Sequence, residues 1–158
     1  MASISRRKAR IIALQTLYEV DLAQHPWSDV LARNFEEPVT ENTNPVAPTD
    51  ESTREYARSL VDGVLENRDE LDRIIADSAP NWPLDQMSRI DTAILRLAIF
   101  EILFDNRVPL KAAINEAVEL AKRFGSDSSS RFINGVLGTV AAAANQQTRG
   151  PKVSKARQ

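Results

Sequence analysis

Cysteine is absent from the 158 residues, which excludes a disulfide framework, a thiolate metal site and a thiol nucleophile. The single histidine, His25, cannot build a multi-histidine metal site. The longest apolar run, residues 93–104, is interrupted by Arg96 and Glu101 and is too short to span a bilayer. The charged start of the chain also lacks the apolar segment of a signal peptide. These absences predict a cytoplasmic protein that binds no metal and contacts no membrane.

Motifs that mark common catalytic sites are missing as well. The chain has no GxxxxGK[ST] phosphate loop and no GxGxxG, HExxH or GxSxG motif. Its 22 acidic residues are numerous, but none has a distinctive spacing. We therefore expect no catalytic residues, no cofactor and no enzymatic activity.

Charge is distributed unevenly along the chain. Residues 1–10 carry four basic residues and no acid, and residues 145–158 carry four more, again without an acid. Eight of the 20 basic residues thus lie at the ends, which leaves 12 against all 22 acids in residues 11–144, a net charge of −10. Basic ends on an acidic body indicate a nucleic-acid partner, although short basic termini also occur as simple solubility features.

The body of the chain has the periodicity of helices. Glycine is scarce, at five residues, and no alternating strand pattern of useful length is present. Apolar spacing and end signals predict an all-α, compact bundle of about seven helices. The predicted helices lie at about 5–24, after Pro26, from a Thr49 cap, over 67–79, over 84–104, from Pro109 to Gly125, and from the serine cluster 126–130 onward.

Several local features complete this prediction. Residues 93–104 are apolar on nearly every side, which places that helix at the centre of the bundle. Gly125 is expected to end a helix at the C′ position, and the spacing of Gly135 and Gly138 permits the close approach of another helix. Residues 1–144 are read as one domain containing a loop at 36–49, and residues 145–158 as a basic, disordered tail.

Four cations open the first predicted helix: Arg6, Arg7, Lys8 and Arg10. No acid precedes Glu19, so these cations crowd the end where the helix dipole is already positive. Arginine side chains and free backbone N–H groups together suit a polyanion. Arg7, Arg10, Leu14 and Tyr18 share a narrow arc, so a phosphate-binding face could lead to a ring that stacks on a base. The alternative is that the arginines are solvated and Tyr18 is a core residue.

The segment 125–132 is a second candidate. Its serine cluster, residues 126–130, suits the cap of a helix that continues into Arg131 and Phe132. The cap alone explains the pattern, but hydroxyls and Arg131 could also bind phosphate while Phe132 contacts a base. Asp127 argues against an RNA contact because a carboxylate repels phosphate.

Two charges interrupt the most apolar helix. Arg96 and Glu101 must be paired if they are buried. Either they form structural ion pairs with other elements, or Asp85, Asp91 and Arg96 form a surface strip that contacts a partner protein.

Four segments in order, RRKARIIALQTLYEVDL, IDTAILRLAIFEIL, VPLKAAINEAVELAKRFG and RFINGVLG, resemble the NusB family of bacterial transcription antitermination factors. The resemblance covers roughly residues 6–35 and 84–140. It implies seven helices in two subdomains, with no catalysis and no cofactor. It also implies binding of boxA RNA in ribosomal RNA leader and spacer transcripts, together with ribosomal protein S10 (NusE). That pair joins RNA polymerase and other Nus factors to promote processive transcription of ribosomal RNA.

The resemblance also implies roles for individual residues. The RNA contacts that it implies are Arg6, Arg7, Lys8, Arg10, Tyr18 and Phe132, and Arg131 is added to them from the pattern of residues 125–132. The contacts with the ribosomal protein would be Tyr18, Asp85, Asp91 and Arg96. Ser128 stands where related sequences can have an acid. Two alternatives share the fold: a homodimeric scaffold, and a detached RNA-binding module of a ribosomal RNA methyltransferase.

Overall fold

The structure is a computed structural model that describes residues 5–36, 40–41, 44–45, 49–105 and 107–149. Within these residues the fold is all-α, as predicted, with seven α-helices. They are α1 (Arg6–Ala23), α2 (Trp27–Glu36), α3 (Glu51–Glu66), α4 (Arg68–Ser78), α5 (Arg89–Ile99), α6 (Leu110–Phe124) and α7 (Ser129–Arg149). No helix in this part of the chain is both long and apolar enough to cross a membrane.

The helix predicted over 84–104 is three separate pieces. A short 3-10 helix, Leu84–Gln86, comes first, and α5 begins only after Ser88, whose side chain accepts a hydrogen bond from the Asp91 backbone N–H at 3.1 Å. Beyond α5 the chain continues as a π-helical segment, Phe100–Asp105. The single long helix was therefore a wrong prediction, because apolar periodicity does not reveal a capped restart or a change of helix type.

The two segments predicted to be irregular fall largely outside the described residues. Within the predicted loop 36–49, β1 (Thr40–Glu41) pairs antiparallel with β2 (Asn44–Pro45). At the other end, α7 continues through Arg149, beyond the expected tail boundary at 145. Residues 150–158 of the predicted tail lie outside the described residues.

The first turns of α1 and α3 have different caps and different charges. Ser5 caps α1 by accepting from the Lys8 backbone N–H at 3.2 Å, and the first turn of α1 contains no acid. Asp50 caps α3 by accepting from the Thr53 backbone N–H at 2.8 Å. The predicted cap, Thr49, is the preceding residue, and its hydroxyl instead donates to the Phe35 carbonyl. The prediction for α3 was thus wrong by one residue.

Two helices form the centre of the bundle. Helix α1 packs against α2 and α3, while α5 packs against α6 and α7, and a contact between α1 and α5 joins the two groups. One hydrophobic core spans both groups, and the division into two subdomains stays what the resemblance implies. Apart from Arg96, α5 is buried from Ala93 to Ile99, so its predicted central position is confirmed. Burial of the predicted α7 face, Ile133, Val136, Leu137 and Val140, is confirmed as well.

Gly125 ends its helix as predicted, although not in the left-handed conformation, whereas Gly135 and Gly138 have no close neighbour. Gly125 ends α6, but its φ of −95° and ψ of −169° are extended rather than left-handed. A Cβ there would lie 2.5 Å from the Ser129 side chain, so close packing accounts for this glycine. Gly135 and Gly138 face open space, because a Cβ at either position would have no heavy atom of the described residues within 4 Å. The close approach that their spacing permits does not occur among the described residues.

Candidate nucleic-acid interface

Arg6 and Arg7 are exposed at the start of α1. Arg6 donates from Nη1 to the Arg107 carbonyl at 3.5 Å, and its guanidinium lies 5.5 Å from the centroid of the Tyr56 ring. Arg7 donates two hydrogen bonds to the carboxylate of Glu116, at 3.1 and 2.9 Å. The hydrogen bond from Arg7 lowers the pKa of Glu116 from its usual value. This pair is at the surface, where an ion pair contributes only about 0–1 kcal/mol, so Arg7 can exchange its partner at low cost.

Two arginines from distant parts of the sequence lie beside this first turn. The Arg107 guanidinium is 4.4 Å from the centroid of the Tyr56 ring and donates to Asp105 and Ser59. Arg123 lines a shallow groove of about 140 Å³ between α1 and α6, together with Arg7. Sequence reasoning missed both arginines. Nothing in the spacing links Arg107 to a contact 101 residues away, and Arg123 resembles an ordinary basic residue near a helix C-terminus.

Lys8 and Arg10 do not share the exposure of Arg6 and Arg7. They are only 5% and 4% exposed. Arg10 donates to both carboxylate oxygens of Glu101, at 2.7 and 3.0 Å. The prediction that Arg10 belongs to an exposed phosphate-binding face is therefore wrong for this structure. The physical reason is that a carboxylate buried in the π-helical segment needs a cationic partner, and Arg10 supplies it.

Arg10, Glu101 and Tyr56 form a buried polar network under the first turn of α1. The Tyr56 hydroxyl donates to Glu101 at 2.7 Å. Burial, together with this hydrogen bond, raises the pKa of Tyr56 to about 12. Burial by itself would lower the pKa of Arg10, but the hydrogen bonds and charge of Glu101 outweigh burial and raise it. The network joins α1, α3 and the π-helical segment, and it fixes the position from which Arg6 and Arg7 project.

Tyr18 is exposed, at 37%, as its predicted role requires. It lies eleven residues after Arg7, a rise of about 16 Å along the helix. Leu14, between them on the same arc, is fully buried. Tyr18 and the exposed arginines are thus two separate patches on α1 rather than the single face that the helical wheel predicted.

The second candidate segment, residues 125–132, places the serine cluster next to the aromatic ring of Phe132. The Ser129 hydroxyl accepts from the Ser126 backbone N–H at 2.9 Å, a bond that reaches back from the first residue of α7 as in the reciprocal half of a capping box. Arg131 is exposed, and Phe132 is half-buried. The Phe132 ring meets the Trp82 ring edge to face, with centroids 6.0 Å apart. The sequence analysis assigned no role to Trp82.

The three residues of the predicted partner strip have different environments. Asp85 is exposed in the 3-10 helix, whereas Asp91 and Arg96 are half-buried. Arg96 donates to both oxygens of Asp72 on α4, at 2.7 and 3.2 Å, and so forms the structural ion pair that was one of the two alternatives. The Asp91 Oδ1 is buried and has no hydrogen-bond partner within the described residues. The same part of the chain contains no group of three or more histidine or acidic side chains arranged to hold a metal ion.

Fold and surface together define a class of protein: a small, all-helical protein that presents arginines at one helix start and aromatic rings at another. A family model described as the NusB family matches residues 7–142. The chain is 49% identical over 152 residues to the transcription antitermination protein NusB of Roseiflexus castenholzii, covering 95% of this chain and 100% of that protein. It is 53% identical over 139 residues to the NusB of Dehalococcoides mccartyi strain CBDB1, covering 88% and 91%.

Solved structures agree with these sequence relationships. A NusB structure from T. maritima superposes with a TM-score of 0.76 at 29% identity, covering 89% of this chain and 93% of that one. A chain in a crystal structure of the antitermination factors NusB and NusE with dsRNA superposes with a TM-score of 0.74 at 26% identity, covering 87% and 96%. The chain belongs to the NusB family of transcription antitermination proteins.

Proposed function

We propose that the protein binds the boxA element of ribosomal RNA leader and spacer transcripts together with ribosomal protein S10 (NusE). In this role it joins RNA polymerase and the other Nus factors in the cytoplasm and promotes processive transcription of ribosomal RNA. It acts by binding, without catalysing a reaction. Support comes from membership of the NusB family and from the similarity to a chain in the crystal structure of the antitermination factors NusB and NusE in complex with dsRNA.

The observation that carries the proposal is the exposed pair Arg6 and Arg7 at the first turn of α1. Cations at this end of a helix find no acid in the first turn of α1. Glu116 already pairs with Arg7 at the surface, and RNA phosphates would compete for that guanidinium and accept from it in a bidentate manner. We assign the principal phosphate contacts to Arg6 and Arg7, and a supporting, positional role to Arg10. Lys8 and Arg10 stay below the surface.

The remaining predicted contacts are proposed on the same basis. Tyr18, Arg131 and Phe132 would contact RNA at two further patches, and Tyr18 and Asp85 would meet the ribosomal protein. Asp91 and Arg96 would support the surface that contacts the ribosomal protein without touching it directly, since Arg96 is already paired with Asp72. Neither alternative function is favoured, because relatives that match this chain over nearly their whole length are antitermination proteins.

Fluorescence anisotropy with a labelled boxA leader RNA and a scrambled RNA tests the proposal across a range of salt concentrations. We expect binding selective for boxA that tightens when S10 is added. Arg7→Ala should weaken binding and flatten the slope of log affinity against log salt by about 0.7, the contribution of one phosphate on a single strand.

Arg73→Ala provides the matched control, because Arg73 is an exposed arginine on α4 that pairs with Glu70. It removes the same charge from a different helix and should leave the slope nearly unchanged. Equal, weak binding to both RNAs, indifferent to S10, would contradict the proposed function. A normal slope in Arg7→Ala would remove Arg7 from the interface.

A further inference from the structure

Trp82 is the most exposed large apolar side chain among the described residues, at 56%. It lies in the loop between α4 and the 3-10 helix, flanked by Pro80 and Pro83 in the segment PNWP. The Trp82 backbone N–H donates to the Ala79 carbonyl at 3.0 Å, which closes a turn. Two prolines and a closed turn restrict the backbone, so the indole is presented from a fixed position.

One other aromatic ring packs against the Trp82 ring. The Phe132 ring meets it edge to face at 6.0 Å, with an angle of 75° between the ring planes. This contact orients the indole and leaves most of its surface open. No described residue accepts a hydrogen bond from the indole N–H. An exposed tryptophan that is held in place but not covered is a feature of binding surfaces.

We propose that Trp82 stacks on an unpaired base of the bound RNA and so extends the Phe132 patch of the interface. The inference rests on the proposed function, because it takes RNA as the ligand. Arg131, exposed next to Phe132 in the first turn of α7, is a cation that can hold the backbone of the same strand. Aromatic rings beside a cation form the common platform for single-stranded nucleic acid. A base is therefore the occupant that the patch favours over a protein side chain.

Intrinsic fluorescence gives a direct test, because the chain has only two tryptophans. In Trp27→Phe, Trp82 is the single tryptophan, and its emission reports its own surroundings. We would titrate this variant with boxA RNA and with scrambled RNA, first without S10 and then with it. Stacking on a base predicts strong quenching by boxA RNA in the absence of S10.

Anisotropy on Trp82 variants completes the test. Trp82→Ala should weaken RNA binding by roughly 5- to 150-fold, the range for loss of one stacked base. The salt slope should stay unchanged, because no phosphate contact is removed. Trp82→Phe keeps a ring and should retain most of the affinity, while Trp27→Phe makes the same change on α2 and should have no effect. Thermal unfolding of each variant checks that the fold is intact.

The outcomes separate this inference from the proposed function. Selective boxA binding with no quenching, and with wild-type affinity in Trp82→Ala, would overturn the stacking role and leave the function intact. Quenching that appears only when S10 is added would overturn it in favour of a protein contact. Equal quenching by both RNAs without selectivity would support stacking and contradict the boxA function.

Discussion

At the scale of single residues, the Arg7–Glu116 pair sets how readily the first turn of α1 meets a phosphate. Glu116 holds Arg7 in the free protein and also repels an incoming anion. We expect Glu116→Gln to raise RNA affinity, by up to about fivefold if the released pair is worth at most about 1 kcal/mol. Anisotropy with boxA RNA at low salt measures the effect.

Glu119→Gln is the matched control for this prediction. Glu119 lies on the same helix and lines the same groove, and it pairs with Lys122. The two variants change the net charge equally, so a difference between them reports the arginine pairs of Glu116, chiefly Arg7 at 2.9 Å and more weakly Arg10 at 3.8 Å. An equal gain in both would mean that general electrostatic repulsion, and not competition for Arg7, limits binding.

At the scale of elements, the π-helical segment depends on a glycine in another helix. A Cβ on Gly63 of α3 would lie 2.1 Å from Cζ of Phe100, the first residue of that segment. Overpacking in Gly63→Ala should cost about 1–3 kcal/mol against a gain in helix propensity of about 1 kcal/mol, so the net loss of stability should be up to about 2 kcal/mol. Urea unfolding measures the net loss.

Gly135→Ala tests the same substitution without the clash. Gly135 is also inside a helix, but a Cβ there would meet nothing within 4 Å. This variant should gain about 0.5–1 kcal/mol in the free energy of unfolding. If Gly63→Ala were as stable as Gly135→Ala, the Phe100 ring must move aside freely, and the close packing would not determine the shape of the segment.

The sequence predicted some elements of the fold well and missed others. Helices α1, α2, α4, α6 and α7 follow from local apolar spacing and end signals, and these were predicted well. The break before α5 was missed because apolar spacing does not reveal the restart of the helix at the Ser88 cap. The π-helical segment was missed because the close packing of Phe100 on Gly63 comes from tertiary structure. Arg10 shows the same limit within the site. Its position in the RRKAR cluster indicated a phosphate contact, whereas its burial depends on Glu101, 91 residues later.

At the scale of the whole molecule, the body of the chain and its two ends carry opposite net charges. The net charge of −10 over residues 11–144 repels RNA, so the basic ends must supply long-range attraction. Replacing Lys152, Lys155 and Arg157 with glutamine should flatten the salt slope by at most about 2, if each contacts one phosphate. Affinity should fall by the same factor for boxA and scrambled RNA, because phosphate contacts carry no sequence information. Anisotropy on both RNAs across salt measures slope and selectivity together. A larger loss for boxA would show that the tail takes part in sequence recognition, and the aromatic patch would then not account for selectivity alone.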